Sequence, residues 1–318
     1  MINYFSESFE NFNNSLITET IKKDSFFALE NAVNKDTIEK ILSEADLFNI
    51  KINSIDVSSV HADDGYYLSN GLAKSETLYN FLTSEKIMKI AKSYLGEKFR
   101  LKCHRIYSVS PGARNPWHTD DKKYGTKIIN GKGLVFMIYL NDVYDGEFQA
   151  IKGSHLYSSK FKHSNFDEDV IKDFTHDITS FKHPMGSIII FDNKTIHRAK
   201  PYYKYLWKRK SLFFQIDNEI DDGEKIIINS RFIKKIDENI INYLGIGKPA
   251  NMPHEPANTS INSLNYSNIF NIQKKIFITI IYRTVFLLKS FLRGTFKRKI
   301  QKILGKKNTV NSKINIED

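Results

Sequence analysis

Apolar side chains recur with helical spacing in several stretches before residue 97. Between residues 34 and 47 they fall three and four positions apart behind a polar Asn-Lys-Asp segment, which is the pattern of a capped helix that buries one face. The stretches 75–82 and 84–95 have the same period, and Gly96 follows as a helix stop. We therefore predict three helices, preceded by a short strand at 25–33, and expect the helices to cover one side of a sheet.

From Phe99 onwards the helical period gives way to an alternation of apolar and polar residues. Residues 100–109 alternate until Pro111-Gly112 turns the chain. Further short strands are predicted at 133–141, 146–151, 186–191, 209–217 and 225–229. Loops without helical crossovers join these strands, which favours antiparallel pairing. The sequence thus predicts a mainly β fold with flanking helices, arranged as a double-stranded β-helix of the cupin-like jelly-roll type.

Three stretches around these elements have no clear period. Residues 1–23 are polar with scattered aromatic residues, and we expect a loosely attached lead-in. Residues 52–71 are expected to form a loop, whose tyrosines at 66 and 67 either overhang a pocket mouth or pack within the loop. Residues 156–184 are longer than an ordinary connection and are predicted to form a partial lid. Its histidines are interpreted as loop residues: His163, His176 and His183.

The basic character of the chain belongs to its C-terminal end. The net charge is +11, and residues 272–307 contain eleven Lys and Arg but no Asp or Glu. The remainder is close to neutral, so the net charge says little about what the main domain binds. We predict a double-stranded β-helix domain over 1–235, a proline-containing linker over 236–271 and a basic amphipathic helical tail over 272–307, with the tail forming a C-terminal extension of the fold.

The tail is predicted to contact a surface rather than to cross a membrane, because its charges interrupt the apolar runs before they reach the length that a bilayer requires. A basic amphipathic helix suits an anionic membrane surface, and the alternative is a helix that docks on the main domain or on a second copy. Nucleic acid is not expected as a partner, because the aromatic residues lie on the apolar arc. The sequence does not determine the oligomeric state.

Length and composition indicate a folded, intracellular protein. The chain has 318 residues, of which 41% are hydrophobic, enough for a substantial core in one large domain with an appendage. Its single cysteine, Cys103, cannot form an intramolecular disulfide, and residues 1–14 lack the pattern of a signal peptide. We expect a cytoplasmic location, with the tail at the inner membrane surface if it binds lipid.

Candidate metal ligands occur on the extended segment after Pro111-Gly112. His118 and Asp120 are two positions apart, so their side chains point to the same side and can bind one divalent ion. A third ligand is predicted at His197, because an apolar strand and a short polar turn precede it. Two imidazoles and one carboxylate form the facial triad of non-haem Fe(II) oxygenases, which leaves three coordination positions open. Twelve residues later, Arg209 opens a strand, and its planar guanidinium suits the distal carboxylate of a 2-oxo diacid.

The order of these pieces resembles the phytanoyl-CoA dioxygenase family of Fe(II)/2-oxoglutarate oxygenases over roughly residues 24–235. The matching pieces are His118-x-Asp120, the strand ending in Leu140-Asn141-Asp142, Gly146, Gly153-Ser154-His155, Phe191-Asp192, His197 and Arg209. The resemblance implies Fe(II) at the triad, 2-oxoglutarate as cosubstrate with its 5-carboxylate at Arg209, and dioxygen. Halogenating relatives in the wider superfamily lack the metal-binding carboxylate. Because Asp120 is present, the resemblance implies hydroxylation or a related oxidation instead. We expect hydroxylation of a small or lipid-linked metabolite, with conversion of 2-oxoglutarate to succinate.

Two questions stay open at the level of the sequence. If odd-numbered residues of 100–109 face inward, Arg105 and Tyr107 line the cavity and contact the cosubstrate or substrate, whereas the reversed phase places Lys102 and His104 there. The chain also fits a second class of function, a catalytically inactive double-stranded β-helix that serves as a binding module tethered by its basic tail. An AlkB-like repair oxygenase fits less well, because no nucleic-acid surface is evident.

Overall fold

The fold consists of two antiparallel sheets with helices packed on one of them, which agrees with the predicted mainly β fold with flanking helices. The computed structural model describes residues 3–45, 59–62, 65–68, 71–109, 116–121, 131–158, 165–166, 171–202, 208–218, 220–221, 223–224, 226–234, 237–250, 277, 280–281, 283–285 and 288. All structural statements below concern this part of the chain.

Twelve strands are present in the described residues. They are β1 (Phe26–Leu29), β2 (Ser59–Ala62), β3 (Gly65–Leu68), β4 (Arg100–Val109), β5 (Trp117–His118), β6 (Gly133–Tyr139), β7 (Phe148–Ile151), β8 (Asn165–Phe166), β9 (Ile178–Phe181), β10 (Ile188–Asp192), β11 (His197–Ala199) and β12 (Arg209–Asp217). The larger sheet has the order β1-β10-β6-β12-β4-β3-β2, and the smaller has the order β8-β5-β11-β7-β9. All the pairs of neighbouring strands are antiparallel.

Helices cover the outer face of the larger sheet. They are α1 (Glu7–Glu10), α2 (Asn14–Asp24), α3 (Lys35–Ala45), α4 (Gly71–Lys74), α5 (Glu76–Leu82), α6 (Glu85–Leu95) and α7 (Glu238–Leu244), with short 3-10 helices at Ser154–Leu156, Lys172–Asp177 and Ser230–Phe232. The three helices predicted from periodicity correspond to α3, α5 and α6. Their starts follow ordinary capping chemistry: the Ser75 side chain accepts a hydrogen bond from Leu78 N in the first turn of α5.

Strand alternation divides the apolar residues between two cores. Along β10, Ile188 and Ile190 join the helix-side core, whereas Ile189 and Phe191 join the core that contains residues of both sheets. The second core receives Phe148 from the smaller sheet. One face of each strand therefore lines the space between the sheets. The polar side chains on this face are the ones that can approach the candidate metal ligands.

The prediction of a loose N-terminal lead-in is wrong. Residues 7–10 and 14–24 form α1 and α2, and Phe5, Phe9, Ile17 and Ile21 are buried in the helix-side core. A helical period is not visible in the sequence because α1 has four residues and α2 buries only two apolar residues, Ile17 and Ile21. The N-terminal segment is thus an integral part of the domain.

Two predictions about loops and one about a strand also need correction. The predicted loop at 52–71 contains β2 and β3, although the side chains of Tyr66 and Tyr67 lie outside the described residues. The predicted lid at 156–184 contains β9, a strand of the smaller sheet that pairs with β7. The strand expected at 225–229 is absent from its described residues, 226–229. Each of these strands is four residues long or was predicted from a short apolar run, and such runs are ambiguous without a partner strand.

The packed domain extends beyond residue 235. Helix α7 lies in the segment predicted to be a linker, yet its Tyr243 and Leu244 are buried in the helix-side core. The ring of Tyr243 meets Phe99 at a centroid distance of 6.0 Å. The domain boundary predicted at residue 235 therefore lies too early, because the apolar pair at the end of α7 packs into the core, and the rest of the predicted linker from residue 251 lies outside the described residues. Within the described residues, no helix combines the length and the apolar character needed to cross a membrane.

Candidate metal centre

Strand pairing in the smaller sheet brings two of the predicted ligands together. His118 ends β5, His197 begins β11, and these two residues are directly opposite each other in the antiparallel pair. Asp120 follows β5 by two positions, so its side chain returns to the same side as His118. Residues that are far apart in the sequence thus converge because two short strands share one register.

The three side chains have the geometry of a metal site. Their ligand atoms all lie within 4.8 Å of one another. His197 Nε2 is 3.4 Å from one carboxylate oxygen of Asp120, and His118 Nε2 is 3.8 Å from the other. Ligand atoms that bind one ion at about 2.0–2.2 Å in cis positions are separated by about 3 Å, so small rotations would complete the site. His118, Asp120 and His197 can therefore hold one iron ion.

Backbone hydrogen bonds set the orientation of both imidazoles. His118 Nδ1 is 2.8 Å from Pro116 O, and His197 Nδ1 is 2.9 Å from Thr195 O. Because a carbonyl oxygen can only accept, each ring carries its proton on Nδ1 and presents Nε2 as an electron-pair donor. This arrangement is usual for metal-binding histidines, whose second nitrogen is fixed by an outer hydrogen bond.

The electrostatics of the cluster favour occupation by a cation. Asp120 Oδ2 is buried and accepts no hydrogen bond from the described residues. Burial raises the pKa of Asp120, although His118 and Arg105 oppose the rise, and burial together with His118 lowers the pKa of His197 well below its ordinary value. A neutral imidazole and a poorly solvated carboxylate suit a metal ion, which supplies the missing positive charge. The residues present therefore fit Fe(II).

The loops that carry the ligands are fixed by two further contacts. Asp120 N donates to Asn193 O at 2.8 Å, which joins the Asp120 segment to the turn before His197. Ile196 N donates to Ser154 Oγ at 2.8 Å, so the Gly-Ser-His turn supports the start of β11. In the same turn, His155 Nε2 lies 3.1 Å from Lys22 O, in agreement with a structural role. The turn thus positions His197 without contributing a ligand.

Arg209 lies at the start of β12 on the inner face of the larger sheet. Its side chain is buried, and its guanidinium donates to Gly146 O. Burial raises the pKa of Tyr139, a member of the core between the sheets, and the nearby positive charge of Arg209 opposes this rise. Gly146 has a φ of +66°, and a Cβ there would lie 2.2 Å from the Tyr202 ring, so only glycine fits beside Arg209. Cosubstrate binding by Arg209 stays a prediction.

The inner face of β4 carries the odd-numbered residues. Cys103 belongs to the core between the sheets, and Arg105 is opposite Phe213, another member of that core. Arg105 contacts Cys103 Sγ at 3.1 Å and also pairs with the Glu224 carboxylate. The Tyr107 ring meets Phe213 edge-on at 5.9 Å. Arg105 and Tyr107 therefore face inward, and their contact with cosubstrate or substrate stays a prediction.

The even-numbered residues of β4 do not behave as one set. His104 Nε2 accepts a hydrogen bond from Leu72 N, on the helix side. Lys102 instead pairs with Asp217, and both side chains are 1% exposed. Sequence reasoning also missed Glu224, since it lies after β12 in a segment without any period and only the fold brings it to Arg105. Of the histidines in residues 156–184, His176 pairs with Asp177 and His183 pairs with Glu30, and neither belongs to the triad. His163 lies outside the described residues.

Solved structures share this fold at low sequence identity. HygX from Streptomyces hygroscopicus, solved with nickel and 2-oxoglutarate, has a TM-score of 0.51 and 10% identity, and the match covers 66% of this chain and 89% of HygX. The HygX complex that also contains hygromycin B gives a TM-score of 0.52 and 11% identity, with 66% and 89% covered. The non-haem α-ketoglutarate-dependent carbocyclase SnoK from nogalamycin biosynthesis gives 0.51 and 15%, with 66% and 85% covered. No curated protein matches the sequence significantly.

A sequence model of phytanoyl-CoA dioxygenase (PhyH) matches residues 22–202, more than half of the chain. Together with the fold and the triad, this match defines a non-haem iron, 2-oxoglutarate-dependent dioxygenase, with Fe(II), 2-oxoglutarate and dioxygen as its cofactor and cosubstrates. The chain belongs to the phytanoyl-CoA dioxygenase family. The predicted enzyme class is thereby confirmed. His118, Asp120 and His197 lie inside the matched range, whereas Arg209 lies beyond its end.

Proposed function

We propose that the chain hydroxylates a C–H bond of a small or lipid-linked metabolite. In this reaction the substrate, dioxygen and 2-oxoglutarate give an alcohol, succinate and carbon dioxide, so one oxygen atom enters the alcohol and the other enters succinate. The observation that carries the proposal is the convergence of His118 and His197 with an intact carboxylate at Asp120. A full set of three protein ligands leaves room for the cosubstrate and dioxygen on one ion.

The roles of the surrounding residues follow from their positions. Bound iron would supply the activation of dioxygen. His118 and His197 present Nε2, and Asp120 neutralises part of the charge of the ion. Arg209 is proposed to bind the 5-carboxylate of 2-oxoglutarate, and Arg105 and Tyr107 to contact cosubstrate or substrate from the inner face of β4. The rings of Phe148 and Phe191, at 5.2 and 4.8 Å from His197, keep water from its buried side.

We further propose that eight strands form a double-stranded β-helix of the jelly-roll type. Strands β4, β6, β10 and β12 lie side by side in the larger sheet, and β5, β7, β9 and β11 do so in the smaller. Along the chain the path alternates between the sheets except at the step from β7 to β9. This strand order supports a jelly roll, in which the metal ligands lie between the two sheets.

A small-molecule substrate is favoured over a purely binding role. HygX has been solved with hygromycin B, and SnoK is a carbocyclase from nogalamycin biosynthesis, so two proteins that share this fold support a small-molecule substrate here. An inactive binding module would have no need for three convergent ligands, one of them a carboxylate whose Oδ2 is buried and accepts no hydrogen bond from the described residues. The alternative is therefore not favoured.

Iron-dependent turnover of 2-oxoglutarate tests the function without the true substrate. We expect the purified chain to release succinate slowly when Fe(II), 2-oxoglutarate and oxygen are all present, because enzymes of this kind consume cosubstrate in an uncoupled reaction. Succinate measured by mass spectrometry should fall to background when iron is chelated or oxygen removed. Absence of iron-dependent succinate, in protein that binds the metal, would contradict the proposal.

We also propose that the tail, residues 272–307, places the enzyme at the inner, anionic surface of the cytoplasmic membrane. The described tail residues are helical, and the large apolar side chains among them are 43–65% exposed. These side chains are Phe277, Ile280, Ile281, Val285 and Leu288, which recur at helical spacing. An exposed apolar stripe in a segment with eleven cations and no acidic residue suits a lipid surface, where each cation contributes about 1 kcal/mol.

Vesicle binding tests this proposal. We expect the full chain to bind vesicles that contain phosphatidylserine, more weakly at high salt, and to lose at least about tenfold in affinity after Ile281→Asn with Leu288→Asn, because the stripe loses two apolar side chains. Leu16→Asn is the matched control, since Leu16 is a half-exposed leucine on α2. Deletion of residues 260–318 should abolish binding. If the chain bound neutral vesicles equally well, or if it formed dimers that these substitutions or the deletion dissociate, a protein contact would be favoured instead.

A further inference from the structure

A buried series of polar contacts runs from β4 through β12 to Asp120. The Lys102 ammonium pairs with Asp217 Oδ2, and both side chains are 1% exposed. Gln215 Nε2 donates to Asp217 Oδ1 at 3.0 Å, and the same nitrogen lies 3.5 Å from Asp120 O. The series therefore connects a cation on one strand with the main chain of a metal ligand on another segment.

A β-bulge places Lys102 in this series. In the pairing of β12 with β4, Gln215 is opposite Cys103 and Ile216 is opposite Leu101, so Lys102 has no partner in the register. An extra residue of this kind re-aims its side chain. Without the bulge, Lys102 would share the helix-side face with His104. With it, the ammonium reaches Asp217, which follows Gln215 by two positions and shares its face.

The surroundings of Gln215 fix the direction of its amide. Asp217 offers a carboxylate oxygen and Asp120 a carbonyl oxygen, and both can only accept, so the NH₂ group must face them with one N–H for each. Asp120 is also held from the other side, because its N–H donates to Asn193 O at 2.8 Å. The peptide groups on both sides of the Asp120 Cα are thus held by different segments, one by the turn after β10 and the other by β12.

Stability alone does not account for this arrangement. Taking a lysine and an aspartate out of water costs several kcal/mol, and replacing such a buried pair by apolar residues is often neutral or stabilising. Burial also raises the pKa of Asp217, which the Lys102 ammonium opposes. The pair with Lys102 holds the Asp217 carboxylate in place, and this carboxylate accepts one N–H of the Gln215 amide. The other N–H of that amide is then directed at Asp120 O.

We propose that Lys102, Asp217 and Gln215 are positioning residues that fix the main chain at Asp120, so that its carboxylate meets the ion together with His118 and His197. The proposal rests on the proposed function, because it requires the triad to hold a metal. None of the three residues touches the ion. Their effect is on the geometry and affinity of the metal centre.

Cobalt(II) binding to the full chain tests the proposal without turnover. We expect Gln215→Leu to weaken Co(II) affinity roughly tenfold and to change the visible Co(II) spectrum, as is typical for loss of an outer partner of a ligand. Gln149→Leu is the matched control. Gln149 is also buried and also makes two hydrogen bonds, one donated to Ser180 and one accepted from Arg198, but it has no contact with Asp120 among the described residues.

A second variant covers the case in which Gln215→Leu folds poorly. Lys102→Met with Asp217→Leu removes the ion pair as a unit, and it should weaken Co(II) binding to a similar extent with an unchanged melting temperature. Adding Gln215→Leu to this pair should cause no further loss, because the residues act in series. Affinity and spectrum like those of the unchanged chain in these variants would overturn the proposal. Asp120→Ala is measured in parallel: if it too retains Co(II), the metal centre itself is misassigned.

Discussion

Replacing Asp120 by Ala should abolish iron-dependent succinate formation while leaving the metal-free protein at least as stable as before. The carboxylate supplies one of three ligands, and a ligand is worth more than an outer partner, whose loss typically costs 10–100-fold. Metal affinity should therefore fall by more than about 100-fold. In the metal-free state, however, Asp120 Oδ2 is buried without a hydrogen bond and burial raises the pKa of Asp120, so its removal relieves an unfavourable charge.

The two effects of Asp120→Ala can be measured separately. Calorimetric titration with Fe(II) under anaerobic conditions gives the affinity, and thermal unfolding with and without metal gives the stability. We expect the unchanged chain to gain stability on adding metal and the variant to gain none. Asp142→Ala is a suitable control, because Asp142 is a carboxylate three residues after β6 that accepts a hydrogen bond from Met185 N and has no part in the triad. Ordinary succinate release by Asp120→Ala would eliminate the assigned centre.

Replacing Arg209 by Ala should raise the KM for 2-oxoglutarate by about 30-fold or more with the fold retained. A buried guanidinium that meets a carboxylate contributes about 2 kcal/mol or more when one partner is truncated, which corresponds to this factor. Arg209→Lys should give an intermediate KM, because lysine keeps the charge but lacks the planar pair of donors. Iron affinity should stay unchanged in both variants, since Arg209 is not a ligand.

The control for Arg209 is the arginine that follows His197. Arg198 stacks over the Trp117 ring at 4.4 Å and donates to Gln149, so Arg198→Ala removes a guanidinium without touching the inner face. Steady-state kinetics of succinate release at varied 2-oxoglutarate distinguishes the two changes. If Arg209→Ala leaves the KM unaltered, the 5-carboxylate binds elsewhere, and the inner residues Arg105 and Tyr107 become the next candidates.

The sequence could predict the metal centre because most of its signal is local. His118 and Asp120 share a side of one extended segment, and the apolar run before His197 shows where that strand ends. What it could not show is which residues of other strands surround them. The bulge at Lys102 depends on the register of β12 against β4, and Glu224 reaches Arg105 only after the chain has turned back from β12. Alternation alone therefore left two candidate sets of inward-facing residues on β4, the odd-numbered and the even-numbered. In the fold, the two even-numbered candidates Lys102 and His104 have different surroundings, because Lys102 pairs with Asp217 and His104 bonds the helix side.

Short elements limited the prediction of the fold. The strands β2, β3 and β9 have four residues each, and their position in a sheet is decided by neighbours that lie far away in the sequence. The N-terminal helices were missed for a related reason: their buried residues fill a core that is built mostly by later segments. Long periodic stretches such as 84–95 were predicted well, because their own sequence carries enough repeats of the pattern.

The part of this chain that matches the family model is smaller than the part that packs into one domain. The family match begins at residue 22 and ends at 202, yet the helix-side core takes Phe5 and Phe9 from before it and Tyr243 and Leu244 from after it. An excised fragment with the limits of the match would expose apolar residues at both ends and would lack Arg209. Segments outside the family match thus supply part of the scaffold that carries the iron ligands, so the smallest fragment that could fold with this metal centre is longer than the match itself.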